Sequence, residues 1–364
     1  MEYPRPPTSI INTGCIMKKI AFTGGGSAGH VLPNLALIED LDLGKTDVCY
    51  IGTDGIEKGL VAAQKIPYFE ISCPKLIRGG GLKGLWKNLR IPFAFLRAVK
   101  QAEQGLKTFQ PDVVFSKGGY VSLPVLFAAK KLRIPCFSHE SDYSLGLANK
   151  LGAKYCEYVF TSFPETAEKL KNGKYVGALL RKSTLYTDRT HARKKFGVSP
   201  STTVLLVFGG GSGSEAINET VRRHAKALTE KYTLLHVCGK GKRVESNLKN
   251  YLQFEFITDM GSAYACADLI ISRAGAGAVF ETLAHKKRAL FIPLDNGSRG
   301  DQKQNANYFA QKGLCRVLPQ SKIDELPMEI EKTLLDERLK EKLQAHSVLC
   351  GNGNVLRVLY EYLQ

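Results

Sequence analysis

A glycine-rich turn directly follows an apolar, strand-like run twice in this chain, about half its length apart. The first turn is Thr23-Gly24-Gly25-Gly26-Ser27-Ala28-Gly29-His30, after Ile20-Ala21-Phe22. The second is Gly209-Gly210-Gly211-Ser212-Gly213-Ser214, after Val204-Leu205-Leu206-Val207-Phe208. A glycine turn lets backbone N–H groups close on an anion, and the helix that follows turns its positive end toward that anion. Two such turns point to two similar α/β halves with a ligand held between them.

The rest of the chain fits that frame. Strand-like runs at Lys18–Phe22, Asp47–Ile51, Asp112–Phe115, Pro135–Ser138 and Tyr158–Thr161 alternate with helical stretches at Leu32–Leu41, Leu82–Leu106 and Leu123–Leu132. After a charged, irregular stretch near Lys182 the pattern restarts, with strands expected at Thr203–Phe208, Tyr232–Val237, Phe254–Ile257, Leu269–Ser272 and Ala289–Ile292. Such alternation predicts parallel, doubly wound sheets, whose ligands sit beyond the carboxyl ends of the strands. The expected division is a disordered extension over 1–16, one α/β domain over 17–180, a second over 181–345, and a C-terminal helix over 346–364 that packs back toward the first domain.

With 51 basic against 34 acidic residues the chain carries a net charge of +17, which implies an anionic partner: a phosphorylated substrate, anionic lipid or nucleic acid. No recognisable nucleic-acid module accompanies the charge, so nucleic acid is not expected. The nine cysteines are scattered singly, without the pairing that marks metal sites or disulfide frameworks, and neither a metal nor a cofactor is predicted. No run approaches the roughly 18–20 apolar residues that span a bilayer.

Gly24-x-Gly26-x-x-Gly29 also matches the dinucleotide fingerprint, but the acidic residue that should close the second strand has only Asp54 as a loose candidate. His30 sits at the mouth of a helix N-terminus, where the positive helix end favours a neutral, proton-accepting imidazole. Two further strand-end loops, Ser116-Lys117-Gly118-Gly119-Tyr120-Val121-Ser122 and Ser138-His139-Glu140-Ser141-Asp142, converge on the same crevice, and Tyr120 is expected to border the substrate there. In the second half, Ser272-Arg273-Ala274-Gly275-Ala276-Gly277-Ala278-Val279-Phe280-Glu281 runs from a strand into a helix. There Glu281 either complements the helix dipole or holds a ribose diol. Asp301-Gln302 opens a further helix at the same rim, whereas Asp40-Leu41-Asp42, at the far end of its helix, reads as solvated surface.

The stretch Leu76–Lys100 departs from the rest. Ile77, Leu82, Leu85 and Trp86 interleave with Lys83, Lys87 and Arg90, as in a core helix with a charged outer face or in a patch that enters a membrane interface.

Taken together, Thr23–Pro33, Ser116–Ser122, His139–Lys150, Phe256–Met260, Ser272–Glu281 and Gly300–Ala306 resemble, in order and spacing, the MurG-type glycosyltransferases of family 28. The resemblance runs from about Met17 to the C-terminus. It implies an α/β GT-B fold of two Rossmann-like parallel-sheet domains facing a cleft. It also implies metal-independent, inverting transfer of N-acetylglucosamine from UDP-N-acetylglucosamine to a lipid-linked muramyl-peptide acceptor. The implied location is peripheral, on the cytoplasmic side of the cell membrane, with anionic inner-leaflet lipids as partners.

By the same resemblance, Ser27, Ala28, Gly29 and Asp142 would contact donor or acceptor, and Arg181 the donor phosphates. Ile257 would meet the uracil through its backbone, Ala276, Gly277, Ala278, Val279, Phe280 and Glu281 the nucleotide, and Gln302, beside Asp301, the sugar. His30 is the expected base and Glu140 a second candidate; the second glycine turn, through Gly211 and Ser212, borders the diphosphate. Three positions depart from the family pattern. Asp142 stands where many members have Asn, Ala178-Leu179-Leu180-Arg181 lacks a proline before its arginine, and Gly211 falls where a serine is common. The sequence leaves two other functions open, a related UDP-sugar-dependent diacylglycerol glycosyltransferase and a non-catalytic nucleotide-sugar-binding protein.

Overall fold

A computed structural model describes residues 17–74, 91–185, 187–295 and 300–363. One sheet contains β1 (Lys18–Thr23), β2 (Thr46–Gly52), β3 (Tyr68–Glu70), β4 (Val113–Ser116), β5 (Cys136–Glu140), β6 (Tyr158–Thr161) and β7 (Gly173–Tyr175), in the order β3-β2-β1-β4-β5-β6-β7. The other contains β8 (Val204–Phe208), β9 (Thr233–Val237), β10 (Tyr251–Phe254), β11 (Leu269–Ser272), β12 (Arg288–Phe291) and β13 (Arg316–Val317), in the order β10-β9-β8-β11-β12-β13. All described pairings are parallel. Helices cover both faces, so inner strands such as Val204–Phe208 are buried along their whole length and read as continuous apolar runs. The expected α/β architecture of two Rossmann-like halves is the one found.

Strand order reverses between β1 and β4 in one half and between β8 and β11 in the other. At such a point two neighbouring connections leave on opposite faces of the sheet and a crevice opens beyond the strand ends. In the first half Thr23 pairs with Ser116, so the first glycine turn and the Lys117–Tyr120 loop emerge side by side. In the second half Phe208 pairs with Ser272, which places Gly209–Gly213 beside Arg273–Gly275.

The structure revises several elements. The strand expected at Phe254–Ile257 lies three residues earlier, because Tyr251–Phe254 is the stretch in register with Leu234–Val237. The chain then leaves the sheet, with Phe256 66% exposed and Ile257 buried. Strands β3, β7 and β13 escaped notice because each is two or three partly exposed residues at or near a sheet edge, too short for an apolar pattern. The long helix of the first half is described as Ile91–Phe109. The expected membrane residues Ile77, Leu82, Lys83, Leu85, Trp86, Lys87 and Arg90 lie outside the described residues.

Several contacts tie the halves. The helix Asn352–Glu361 places Val355, Leu356, Val358 and Leu359 in the same core as Ile20, Phe22 and Leu35 of the first half. At its start the buried Asn352 donates to the Ala36 carbonyl (3.2 Å), the Leu180 carbonyl (2.9 Å) and Asp40 Oδ2 (3.0 Å), and it accepts from Leu180 N–H. Asp40 is therefore not solvated surface: its side chain is 6% exposed and also pairs with Lys182 at 2.9 Å. Elsewhere, Tyr143 and Phe163 of the first half pack against Phe280, Tyr308 and Phe309 of the second.

Candidate active site

The first glycine turn is built on buried polar supports. Tyr50 Oη donates to the Gly24 carbonyl (2.7 Å), and Asn34 Nδ2 donates to the Thr23 carbonyl (3.0 Å) and to Tyr50 Oη (3.1 Å). The fully buried Glu57 accepts from Gly26 N–H (3.1 Å) with one oxygen and from Thr53 N–H (3.1 Å) with the other. Neither Asn34 nor Glu57 has a sequence signal; only the fold brings them under the turn.

His30 lies half-buried on this platform. Its Nδ1 is 3.0 Å from the Gly25 carbonyl and 3.0 Å from Ser27 Oγ. A carbonyl only accepts, so Nδ1 carries the proton and Nε2 keeps a free lone pair. Among the described residues no protein group bonds to Nε2. Burial and, secondarily, the neighbouring Lys117 ammonium lower the imidazole pKa from 6.5 to about 4, against an opposing pull from Asp142. The ring is thus neutral at physiological pH. The next loop closes over it: Gly119 has φ +80°, and a Cβ there would stand 2.3 Å from the Gly25 carbonyl oxygen and 3.1 Å from His30 Nδ1. Tyr120 lies against Gly26 on the same side. Ser27 and Gly29 are exposed on this wall.

Glu140 does something other than the expected second base. Its carboxylate accepts from Asp142 N–H (3.0 Å), Gly146 N–H (2.8 Å) and Asn149 Nδ2 (2.9 Å), and it is 5% exposed. Those donors commit the carboxylate to shaping the 140–146 loop and leave it poorly placed to take a substrate proton. Lys117, which the sequence did not single out, is 2% exposed and donates to the His139 carbonyl (3.3 Å) beneath the same loop. Burial lowers its pKa, while Glu140 and Asp142 act in the opposite sense.

The opposite wall carries the second turn. Gly213 has φ +72°, and a Cβ there would lie 2.0 Å from the Cys238 carbonyl oxygen, so the turn tolerates no side chain at that position. Gly211 and Ser212 are exposed, and a Cβ on Gly211 would stand 3.8 Å from that of Ala28: the two glycine turns face each other across the cleft. Behind them Arg273, also unforeseen, fastens three loops by donating to Ser214 Oγ (2.8 Å) and to the Ile292 (3.0 Å) and Pro293 (3.2 Å) carbonyls.

The helix Ala276–Ala284 starts at this rim with Gly275 as its N-cap residue. Ala276, Val279 and Phe280, expected at the nucleotide, turn their side chains into the core, because the helix packs on Phe163, Phe291 and Phe309. Gly277 and Ala278 remain at the surface, together with the backbone of the first turn. Glu281 meets the Tyr264 phenol; burial pushes its carboxyl pKa up, and the nearby Arg181 guanidinium offsets that. Arg181 Nε itself is buried without a partner among the described residues. Ile257 packs in the core beside exposed Phe256. Gln302 Oε1 accepts from Leu294 N–H (3.0 Å), which leaves its amino group as the donor. Its neighbour Asp301 bonds to Ser144 across the cleft.

The site therefore sets a neutral imidazole on one wall against backbone N–H groups and helix N-termini on the other. That pairing suits taking a proton from a hydroxyl while negative charge builds on a leaving group.

The glycosyltransferase family 28 N-terminal domain matches residues 20–161 and the family 28 C-terminal domain residues 204–349. Curated relatives named UDP-N-acetylglucosamine--N-acetylmuramyl-(pentapeptide) pyrophosphoryl-undecaprenol N-acetylglucosamine transferase include one from Clostridium perfringens, 41% identical over 94% of this chain and 97% of its own length. Another, from Clostridium botulinum, is 42% identical over 85% of this chain and 88% of its own. Among solved structures, Acinetobacter baumannii MurG superposes with a TM-score of 0.70 at 26% identity, covering 95% of this chain and 99% of that one. With matching domains in both halves, a full-length relationship and a shared two-sheet fold, the chain belongs to glycosyltransferase family 28.

Proposed function

We propose that this chain transfers N-acetylglucosamine from UDP-N-acetylglucosamine to the lipid-linked muramyl-pentapeptide precursor of peptidoglycan. The observation that carries this reading is near-full-length similarity to transferases of that name, in a chain whose cleft presents a neutral imidazole opposite an anion-binding rim.

The residues then take distinct parts. The donor's diphosphate lies at the second glycine turn, near Gly211 and Ser212, with Arg181 as counter-charge. The ribose diol meets Glu281, the uracil meets the backbone at Ile257, and the sugar meets the Gln302 amide, with Gly277 and Ala278 lining the nucleotide. Ser27, Ala28 and Gly29 border the acceptor. His30 Nε2 takes the proton from the acceptor hydroxyl as that oxygen attacks the anomeric carbon and the UDP bond breaks, with inversion. The arriving diphosphate brings negative charge near the ring and raises its pKa from the low value set by burial and Lys117, so the imidazole becomes a better base once donor is bound. Closure of the two walls keeps water from the donor.

The reading includes peripheral attachment to the membrane; no helix among the described residues is long and apolar enough to cross one. A membrane-facing surface lies on the first domain's long helix, where Phe93 is 78% and Leu96 60% exposed. A groove of about 1000 Å³ beside them is lined by Leu96, Val99, Phe127, Lys100, Lys107 and Lys130. Apolar groups flanked by lysines suit the headgroup boundary of an anionic cytoplasmic leaflet. Replacing Lys100 and Lys130 together by glutamine should remove about 2 kcal/mol of attraction to anionic vesicles, on the order of thirtyfold in affinity. Binding to neutral vesicles should be unchanged in a sedimentation assay. Equal loss on both vesicles would remove lipid charge from this account.

Acceptor choice tests the function itself. Supplied with UDP-N-acetylglucosamine, the protein should glycosylate the lipid-linked muramyl-peptide and leave diacylglycerol untouched. The reverse preference would make it a glycolipid synthase, and UDP binding without transfer to either would make it a nucleotide-sugar-binding protein.

A further inference from the structure

One buried carboxamide joins the two walls of the cleft. Asn305, on the helix Asp301–Gln311 one turn beyond Gln302, is fully buried. Its Oδ1 accepts from Tyr143 N–H (2.9 Å), and its Nδ2 donates to Asp142 Oδ1 (2.8 Å) and to the Ala274 carbonyl (3.2 Å). Two of those partners belong to the loop after β5 in the first half, and the third to the loop after β11 in the second. The contact is reinforced: Ser144 bonds to Asp301, and the Tyr143 ring packs on Phe163 and Tyr308.

The acid at position 142 gives this contact a direction. A carboxylate only accepts, so Asn305 must turn Nδ2 toward Asp142 and Oδ1 toward Tyr143 N–H. Buried polar groups of this kind are costly to leave unpaired, so the matched arrangement is favoured over any in which the loop stands off. The same loop carries Glu140 and rests on Lys117, the neighbour of His30. The same helix carries Gln302, and Ala274 precedes the nucleotide-binding helix. A contact at this point thus sets the distance between the proton-accepting wall and the donor wall.

We propose that Asp142 and Asn305 form a latch between the two domains, and that Asn305 is a positioning residue for transfer. The proposal rests on the glycosyl-transfer reading above, in which that distance is the distance of attack. Opening the latch should lower kcat more than it weakens UDP binding, because the nucleotide contacts lie within one domain while the reaction needs both.

The test uses the full chain in four forms: wild type, Asn305→Asp, Asp142→Leu, and the exchange Asp142→Asn with Asn305→Asp. Asn305→Asp sets two carboxylates against each other, and Asp142→Leu breaks the pair from the partly exposed loop, where folding is least at risk. Each single change should cut kcat about tenfold or more, the coupling expected of a buried hydrogen-bonded pair. The exchange restores an amide facing a carboxylate but not the bond to the Ala274 carbonyl, and should recover part of that loss relative to Asn305→Asp. Small-angle X-ray scattering without substrate should show a larger radius of gyration for both single variants than for wild type and the exchange. Scattering does not depend on the reaction, so absence of transfer by wild type would fault the functional reading while leaving the latch to be judged on shape. Wild-type scattering and kcat in folded Asp142→Leu, or an exchange no better than Asn305→Asp, would overturn the latch.

Discussion

Replacing His30 by alanine should lower kcat by about 10²–10⁴-fold, the usual contribution of a positioned general base, while UDP binds as before. The asymmetry follows from where the ring sits. Its Nδ1 is tied to the first wall through the Gly25 carbonyl and Ser27, whereas the proposed nucleotide contacts belong to the second. The pH dependence gives a second check. With its pKa lowered to about 4 by burial and by Lys117, the imidazole stays in its proton-accepting form at neutral pH and is lost as base only as the pH falls through that region. The acid limb of kcat/KM, which reports the free enzyme, should accordingly lie well below 6.5, and the alanine variant should lack it. Stability measured at each pH separates this limb from acid unfolding. An unchanged kcat in the alanine variant, with UDP still bound, would assign proton transfer elsewhere.

Gly119→Ala should be nearly as damaging, by a different route. Position 119 has φ +80°, where an L side chain is strained by roughly 1–3 kcal/mol. The new methyl group would also stand 2.3 Å from the Gly25 carbonyl oxygen, the same atom that accepts from His30 Nδ1. The glycine turn must then shift, and the imidazole shifts with it. Urea unfolding should show the stability loss, and kcat should fall by more than tenfold even where the variant is fully folded, since a displacement of about 1 Å in a catalytic group costs on the order of a hundredfold. Wild-type kcat in this variant would mean that the loop and the base are not mechanically linked.

Much of this was legible in the amino-acid sequence because it is local. An apolar run followed by glycine, then a helix, is written within about ten residues, and it located both turns and His30. What escaped depends on residues that meet only through the fold. Glu57 lies beneath a turn some thirty residues earlier, and Arg273 gathers carbonyls from the loop after β12 and a hydroxyl from the loop after β8. Glu140 looked like a base because it is an acid at a strand end; its three donors appear only once the 140–149 segment curls around it. Val279 and Phe280 fall in the right motif but on the inward side of their helix, a distinction that depends on the aromatic cluster it packs against. Asp40 looked solvated because its partners Asn352 and Lys182 are distant in sequence.

The most direct test of the central claim is the product itself. Purified protein, UDP-N-acetylglucosamine and the lipid-linked muramyl-pentapeptide acceptor should yield one new lipid-linked disaccharide and one UDP per turnover. Proton NMR of the released sugar should show a β-linkage, the inverse of the α-linkage in the donor. An α-linked product, or UDP released with no disaccharide formed, would contradict the account.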